Sequence, residues 1–418
     1  AQAFLEDRSF SEGPGFRVGR LELHPGVLAE MGWDSNVFLE KDNPQSSAVL
    51  RAGAHFDVST VGQQRRAEGD AARADRAKLE FRAGAAAVYY HYFFDDLQDN
   101  VAADGHFDLS YNPNRVFSLR VRELFRRTIR PFTDPNVDGT AGQTTEYGRN
   151  DNAATLELVG RSKSQVLQGR ASYTNEMEWF QSDYFDYSNN MTHRVLAGFD
   201  WLFFPTSALV YEFDLAFQDY RNPDLVLSSP TLLSDNTNIS NRIGFNGSLT
   251  RTLSLTALIG YAVGFYDALD DFDDVIARAE ARWQPRPTVS IDGGYDRNVN
   301  PSFIGNFTVA NRLFFNAKFM LGGVALLGFR TWVSFDKSGV ALTPEGTPVG
   351  NQLRREDIRV LAGLYGEYRV KSWLAFLAEV AYTADFTDFV YSAGLGPLVD
   401  PPAEYQKGEV WGGIRIFY

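Results

Sequence analysis

Apolar and polar side chains alternate with a period of two along almost the whole chain. In residues 116 to 127, Phe117, Leu119, Val121 and Phe125 share one parity while Ser118, Arg120, Arg122 and Arg126 share the other. Residues 253 to 266 set Leu253, Leu255, Ala257, Ile259, Tyr261, Val263 and Phe265 against Ser254, Thr256, Gly260 and Gly264. Residues 307 to 320 set Phe307, Val309, Leu313, Phe315, Ala317 and Phe319 against Thr308, Arg312, Asn316 and Lys318. Successive residues of a strand point to opposite faces, so each segment reads as a strand with one oily and one wet side. From Arg17 onward about eighteen such segments follow one another, an even number within the range of single-chain membrane barrels. Most run to about ten residues or more, enough to cross a bilayer as a tilted strand, whereas strands of water-soluble proteins mostly stop at about five or six.

The connections alternate in length. Short ones occur at Asn112-Pro113-Asn114, Pro205-Thr206, Thr250-Arg251-Thr252, Gln284 to Pro287, Leu321-Gly322-Gly323 and Val370-Lys371-Ser372. Longer ones span Asp34 to Ser47, Thr128 to Tyr147, Arg221 to Asn236, Lys337 to Gln352 and Thr387 to Gln406. Outer-membrane barrels have short periplasmic turns and longer external loops, which orients the chain with its amino terminus in the periplasm. Val61 to Ala77 breaks the rule as a long connection on the short-turn side and reads as a helical or disordered periplasmic appendage. Aromatics gather at both ends of the apolar stripes: Trp33, Tyr89, Trp179, Phe217, Phe265 and Phe386 at one level, Tyr111, Trp201, Phe203, Trp283 and Phe319 at the other. That is the layout of two interfacial girdles. The expected fold is therefore all-β: a transmembrane antiparallel up-and-down barrel of about eighteen strands, with residues 1–16 as a periplasmic segment and 17–418 as a single barrel domain.

Composition supports one closed body. The 418 residues contain no linker or low-complexity tract. Aromatics make up 14% of the chain and charged residues 22%, with a mean hydropathy of -0.27. The longest uncharged stretches, Ala83 to Phe94 and Leu253 to Tyr266, fall short of the roughly 20 apolar residues of a spanning helix. The absence of cysteine excludes disulfides, thiolate metal sites and a cysteine nucleophile. Ala1-Gln2-Ala3 shows neither a basic nor an apolar leader, so any secretory signal has been removed or was never part of this sequence. A net charge of -13 without a basic stripe argues against nucleic acid as a partner.

Little in the sequence suggests catalysis. His24, His55, His91, His106 and His193 have no metal-ligand spacing, no GxSxG element occurs, and no cofactor motif is present. The expectation is a protein that is not an enzyme and holds neither metal nor cofactor. Asp267 to Asp274 (DALDDFDD) reads as a solvated acidic loop, bridged by divalent ions to lipopolysaccharide in one reading, since calcium-loop spacing is missing.

The wet face carries the informative chemistry. Parity places Arg120, Arg122, Arg126, Arg170, Glu176, Glu178, Glu212, Asp214, Arg278, Glu280, Arg282 and Arg312 on it. So many charges cannot lie in hydrocarbon, where each would cost about 2–4 kcal/mol at mid-depth, and they define a hydrated lumen. Their mixed signs either stiffen the wall by ion pairing or set up a transverse field that orients a polar solute. Tyr90, Tyr266, Trp332 and Tyr365 project inward by the same parity and offer platforms for sugar rings or simple packing. Thr128 to Tyr147 is long enough to narrow the mouth as a constriction or to stand outside as a flap.

Pro25 to Phe38 (PGVLAEMGWDSNVF), an apolar first strand running into Gly-Trp-Asp-Ser-Asn-Val-Phe, resembles the opening hairpin of a family of bacterial outer-membrane β-barrel porins. The closing segment Val410 to Tyr418 (VWGGIRIFY) resembles the last strand of such barrels, whose aromatic final residue serves as an assembly signal. Some members of the porin family accompany exopolysaccharide export, and the resemblance implies an outer-membrane pore exporting such a polymer with a periplasmic export partner. The alternative is a passive porin for small hydrophilic solutes. Outer-membrane lipid and lipopolysaccharide would surround either.

Overall fold

The computed structural model describes residues 13–60, 78–93, 99–129, 148–181, 189–221, 235–267, 271–301, 307–338, 355–387 and 404–418. Val61 to Ala77, and most of Thr128 to Tyr147, lie outside them.

A three-residue strand, β1 (Phe16–Val18), precedes the wall. The wall begins with β2 (Leu21–Asp34), β3 (Ser47–Thr60), β4 (Leu79–Tyr92), β5 (Asn100–Tyr111), β6 (Phe117–Thr128) and β7 (Arg149–Arg161). It continues through β8 (Leu167–Phe180), β9 (Asn190–Phe204), β10 (Ser207–Tyr220), β11 (Asn236–Ser248), β12 (Leu253–Tyr266) and β13 (Phe272–Arg286). β14 (Val289–Pro301), β15 (Phe307–Leu321), β16 (Ala325–Ser338), β17 (Arg355–Lys371), β18 (Leu374–Thr387) and β19 (Tyr405–Phe417) complete it. Each wall strand pairs antiparallel with the next, and β19 pairs with β2, so the eighteen strands β2 to β19 form a closed up-and-down barrel. Closure gives every wall strand two neighbours, which is what allows a sheet to stand in hydrocarbon without an unpaired edge.

The alternation read from the sequence sets which side faces out. Val27, Met31, Ile259, Leu313, Leu364 and Val380 are exposed on the outside, while the opposite parity carries the charged pairs described below. Both aromatic girdles are present: Trp33, Tyr89, Phe217, Phe265 and Phe386 are exposed near one end, and Tyr111, Trp201, Phe203, Trp283 and Phe319 near the other. Trp179 is the exception, half-buried against Phe125 with ring centroids 6.2 Å apart.

Several strands outrun their hydrophobic signal. The alternation of β14 fades near residue 296, yet pairing with β15 continues to Pro301↔Phe307. Asn298 and Asn300 keep the inward parity of Asp292 and Asp296, so the strand persists beyond the depth at which lipid demands apolar residues. β13 likewise runs through Arg286, leaving only Pro287 and Thr288 as the turn. At the β15–β16 turn, Gly322 and Gly323 both have positive φ (59° and 71°), and the Val324 amide donates to the Leu321 carbonyl at 3.2 Å. Two consecutive positive φ values define the hairpin turn whose twist matches that of the strands, and glycine supplies them without a Cβ penalty.

The Gly-Trp-Asp-Ser-Asn motif forms the seam where the first and last wall strands meet. Gly32 lies beneath the Trp411 indole, and Trp33 faces outward in a girdle. Asp34 and Lys407 form an ion pair at 2.6 Å with both side chains buried. The Ser35 amide donates to the Gly408 carbonyl at 3.0 Å and the Gly408 amide to the Ser35 hydroxyl at 2.8 Å. Buried Asn36 donates to the carbonyls of Glu40 at 2.7 Å and Gln406 at 3.0 Å. At the opposite end of the seam the Tyr418 amide donates to the Pro25 carbonyl, and Phe16 of β1 stacks on Tyr418 at 4.0 Å.

Candidate functional site

The lumen holds a chamber of about 1220 Å³ against the wall formed by β3 to β14. Charges of both signs line it, among them Arg120, Arg122, Arg126, Glu176, Glu178 and Asp214. Carboxamides and hydroxyls of Asn190, Thr192, Gln218, Asn238, Asn298 and Asn300 line the part nearer the long-loop end. Hydration is enforced by chemistry: guanidinium and carboxylate groups stand on strands whose other face is apolar, so water must fill the inside.

β6 positions three arginines by strict alternation. Arg122 pairs with Asp108 at 3.4 Å, Arg120 approaches Asp108 at 3.8 Å and Glu157 at 3.9 Å, and Arg126 pairs with Asp104 at 3.5 Å. Arg194 bridges Glu176 at 3.3 Å and Asp214 at 3.5 Å, so one guanidinium ties β8 to β10 through β9. Glu178 faces Arg149 at 3.4 Å. Arg242 of β11 reaches past β12 and β13 and donates to the Asn298 side-chain Oδ1 at 2.8 Å.

The other charges named from parity also stand on the inner wall, outside that chamber's lining. Arg170 pairs with Glu212, two strands away. The reach is possible because the strand between them presents Gly198, where a Cβ would collide with the Arg170 side chain. Gly363 plays the same part beneath Arg330 and its partner Glu379, and Gly84 beneath Asp57 and His106. Arg278 and Arg282 converge on Glu280 at 2.7 and 3.7 Å. Arg312 lies over the Trp332 ring, 5.0 Å from its centroid.

The four inward aromatics are not brought together. Tyr266 packs with Phe272 and Phe307 (centroids 6.1 and 6.3 Å away) in an apolar cluster with Ala262 and Ile276. Trp332 serves Arg312, Tyr365 lies over Gly328, and Tyr90 sits half-buried opposite Arg51. None of the four lines the chamber.

A second charged group stands at the strand ends: the inward parity covers Arg359 and Asp385, whereas Arg355, Asp357 and Asp336, at or next to the expected ends, are not placed by it. Arg355 contacts Asp357 at 2.8 Å and Asp385 at 3.4 Å with all three side chains fully buried, and Arg359 pairs with buried Asp336. Arg355 and Asp357 share the parity of Arg359, so following that strand's pattern back toward its start finds them too. Buried charges of this kind persist only when mutually paired and hydrogen-bonded.

The acidic stretch at Asp267 to Asp274 is spent locally where it is described. Asp271 accepts from the Tyr266 amide at 2.9 Å, Asp273 from the Tyr261 hydroxyl and Asp274 from Arg297. His106 meets Asp57 at 3.2 Å, His91 meets Asp99 at 2.8 Å and His193 meets the Tyr173 hydroxyl at 2.7 Å. Among the described residues, no group of three or more potential ligands is placed to hold a metal.

No family model matches the chain, and no sequence among the curated proteins matches it. Solved structures match along most of its length. The siderophore receptor PirA from Pseudomonas aeruginosa is 11% identical, with 96% of this chain and 81% of that one covered and a TM-score of 0.42. An FrpB iron transporter from Neisseria meningitidis is 11% identical, covering 97% and 82% with a TM-score of 0.45. The outer membrane protein opdK from Pseudomonas aeruginosa is 9% identical, covering 95% and 99% with a TM-score of 0.43. The barrel's own surface determines its setting. An outward apolar belt between two aromatic girdles, around a charged interior, is stable only with lipid outside and water inside. The chain is a membrane-spanning antiparallel β-barrel of eighteen strands.

Proposed function

We propose that the barrel is a pore through which small hydrophilic solutes diffuse across the outer membrane. The observation that carries this reading is the chamber of about 1220 Å³, whose lining combines guanidinium, carboxylate and carboxamide groups. Such a lining replaces part of a polar solute's hydration at many weak contacts, which favours entry without trapping.

The exopolysaccharide export implied by the sequence resemblance draws no support from the inward aromatics. A sliding polymer needs stacking platforms spaced along one path, whereas Tyr90, Tyr266, Trp332 and Tyr365 are separately packed into the wall. No catalytic role is proposed, and lipopolysaccharide would contact the outward girdle at the long-loop end.

Reconstitution of the full chain in planar bilayers tests the proposal. Stepwise single-channel conductance, with swelling of liposomes in small sugars and none in long oligosaccharides, is the expected result. A reconstituted barrel that conducts no ions would overturn it.

A further inference from the structure

By count the two signs nearly cancel along the inner wall, but they do not stand equally far from it. An aspartate holds its carboxylate on a single methylene, close to the sheet, whereas arginine carries its guanidinium on a three-methylene stem. A paired arginine can therefore present its cation to the lumen while its partner's anion stays behind it, and several pairs do so. Arg278 and Arg282 have side chains 49% and 47% exposed, against 17% for the Glu280 they share. Arg330 is 49% exposed and its partner Glu379 28%. Arg82 is 39% exposed and Asp57 12%. Arg120 and Arg122 are likewise more open than their shared partner Asp108. Arg126 and Asp104, Arg170 and Glu212, and Arg194 and Glu176 are about equally open, and the order reverses at the rim, where Arg149 is buried behind Asp151 and Glu178.

A solute in the lumen thus meets guanidinium groups first over much of the described wall. Coulomb energy falls with distance, and at physiological salt charges are screened beyond about 8 Å, so the nearer charges dominate the field a solute feels. Guanidinium also offers a planar fork of donors that matches carboxylate and phosphate oxygens.

Resting on the conducting role proposed above, we infer that the lumen selects small anions, oxyanions above all, although the chain carries a net charge of -13. Arg120, Arg122, Arg278, Arg282 and Arg330 set that preference.

The test is the zero-current potential of the reconstituted full chain under a KCl gradient, repeated with potassium phosphate. The expected potential has the sign of anion permeation, with chloride favoured over potassium by about twofold or more. The triple variant Arg278→Gln/Arg282→Gln/Arg330→Gln should move the potential toward the cation side, and Asp104→Asn further toward the anion side. Should the triple variant fail to fold, Arg126→Gln alone, at an open position, should shift the potential in the same direction. Conductance with cation preference, or a potential that ignores these substitutions, overturns the anion inference while leaving the pore standing. Absence of any conductance overturns the pore itself, and the inference with it.

Discussion

Asp34 and Lys407 meet at the seam at 2.6 Å with both side chains buried, and the Asn36 backbone amide also donates to Asp34 at 3.1 Å. Lys407→Met removes the buried cation beside the Asp34 carboxylate and is expected to destabilise the barrel by about 3–5 kcal/mol, most of it recovered in Asp34→Asn/Lys407→Met. Urea unfolding in lipid vesicles measures this, and a loss below about 1 kcal/mol for the single variant would contradict the pairing. Asp99, on the β4–β5 connection, shows the opposite, exposed regime. Hydrogen bonds from the Tyr89 hydroxyl and from His91 hold its carboxyl below the usual carboxylate range. A depressed folded-state value means that its stabilising effect is present above the ordinary pKa of about 4 and is lost as pH falls through the lowered value. Carboxyl-detected NMR titration should find Asp99 ionised at pH values where free aspartate is half-protonated. Residue sidedness was legible in the sequence from parity alone, as Arg120, Arg122 and Arg126 show. Partner choice was not, because Arg170 reaches Glu212 only through the space above Gly198, and nothing local to either residue encodes that gap.

Along a single strand the two faces answer to different solvents. Ile259 and Thr256 lie on opposite faces of β12, the first strongly exposed on the outside and the second hydrogen-bonded to Asn246 on the inside. Ile259→Arg should cost about 2–4 kcal/mol in vesicles, while Thr256→Arg should stay within about 0.5 kcal/mol. Equal effects on the two faces would contradict the assignment of lipid to one and water to the other. Gly198→Val probes the contact between elements. Its side chain would enter the space of the Arg170 stem and is expected to destabilise by about 1–3 kcal/mol, as overpacking does, with Arg170→Ala relieving part of the loss. The strands themselves were legible because lipid enforces alternation along their middles. Their ends were not, since beyond the apolar belt polar residues suit both faces, as in the last turns of β14 and the first of β17.

For the molecule as a whole, closure follows from chain length and strand number, whereas the shape of the lumen follows from which side chains overhang which glycines. That is why a barrel of about eighteen strands could be read from the sequence while the position of its chamber could not. The chain contains no cysteine, so every introduced thiol is unique. Single cysteines at Ala277, Arg278, Ala279, Glu280, Ala281 and Arg282 of β13, reacted in lipid vesicles with a membrane-impermeant thiol reagent, test most directly whether one face meets lipid and the other water. Positions 278, 280 and 282 should label and positions 277, 279 and 281 should stay protected; uniform labelling, or protection of the charged positions instead, would contradict a lipid-facing belt around a wet lumen.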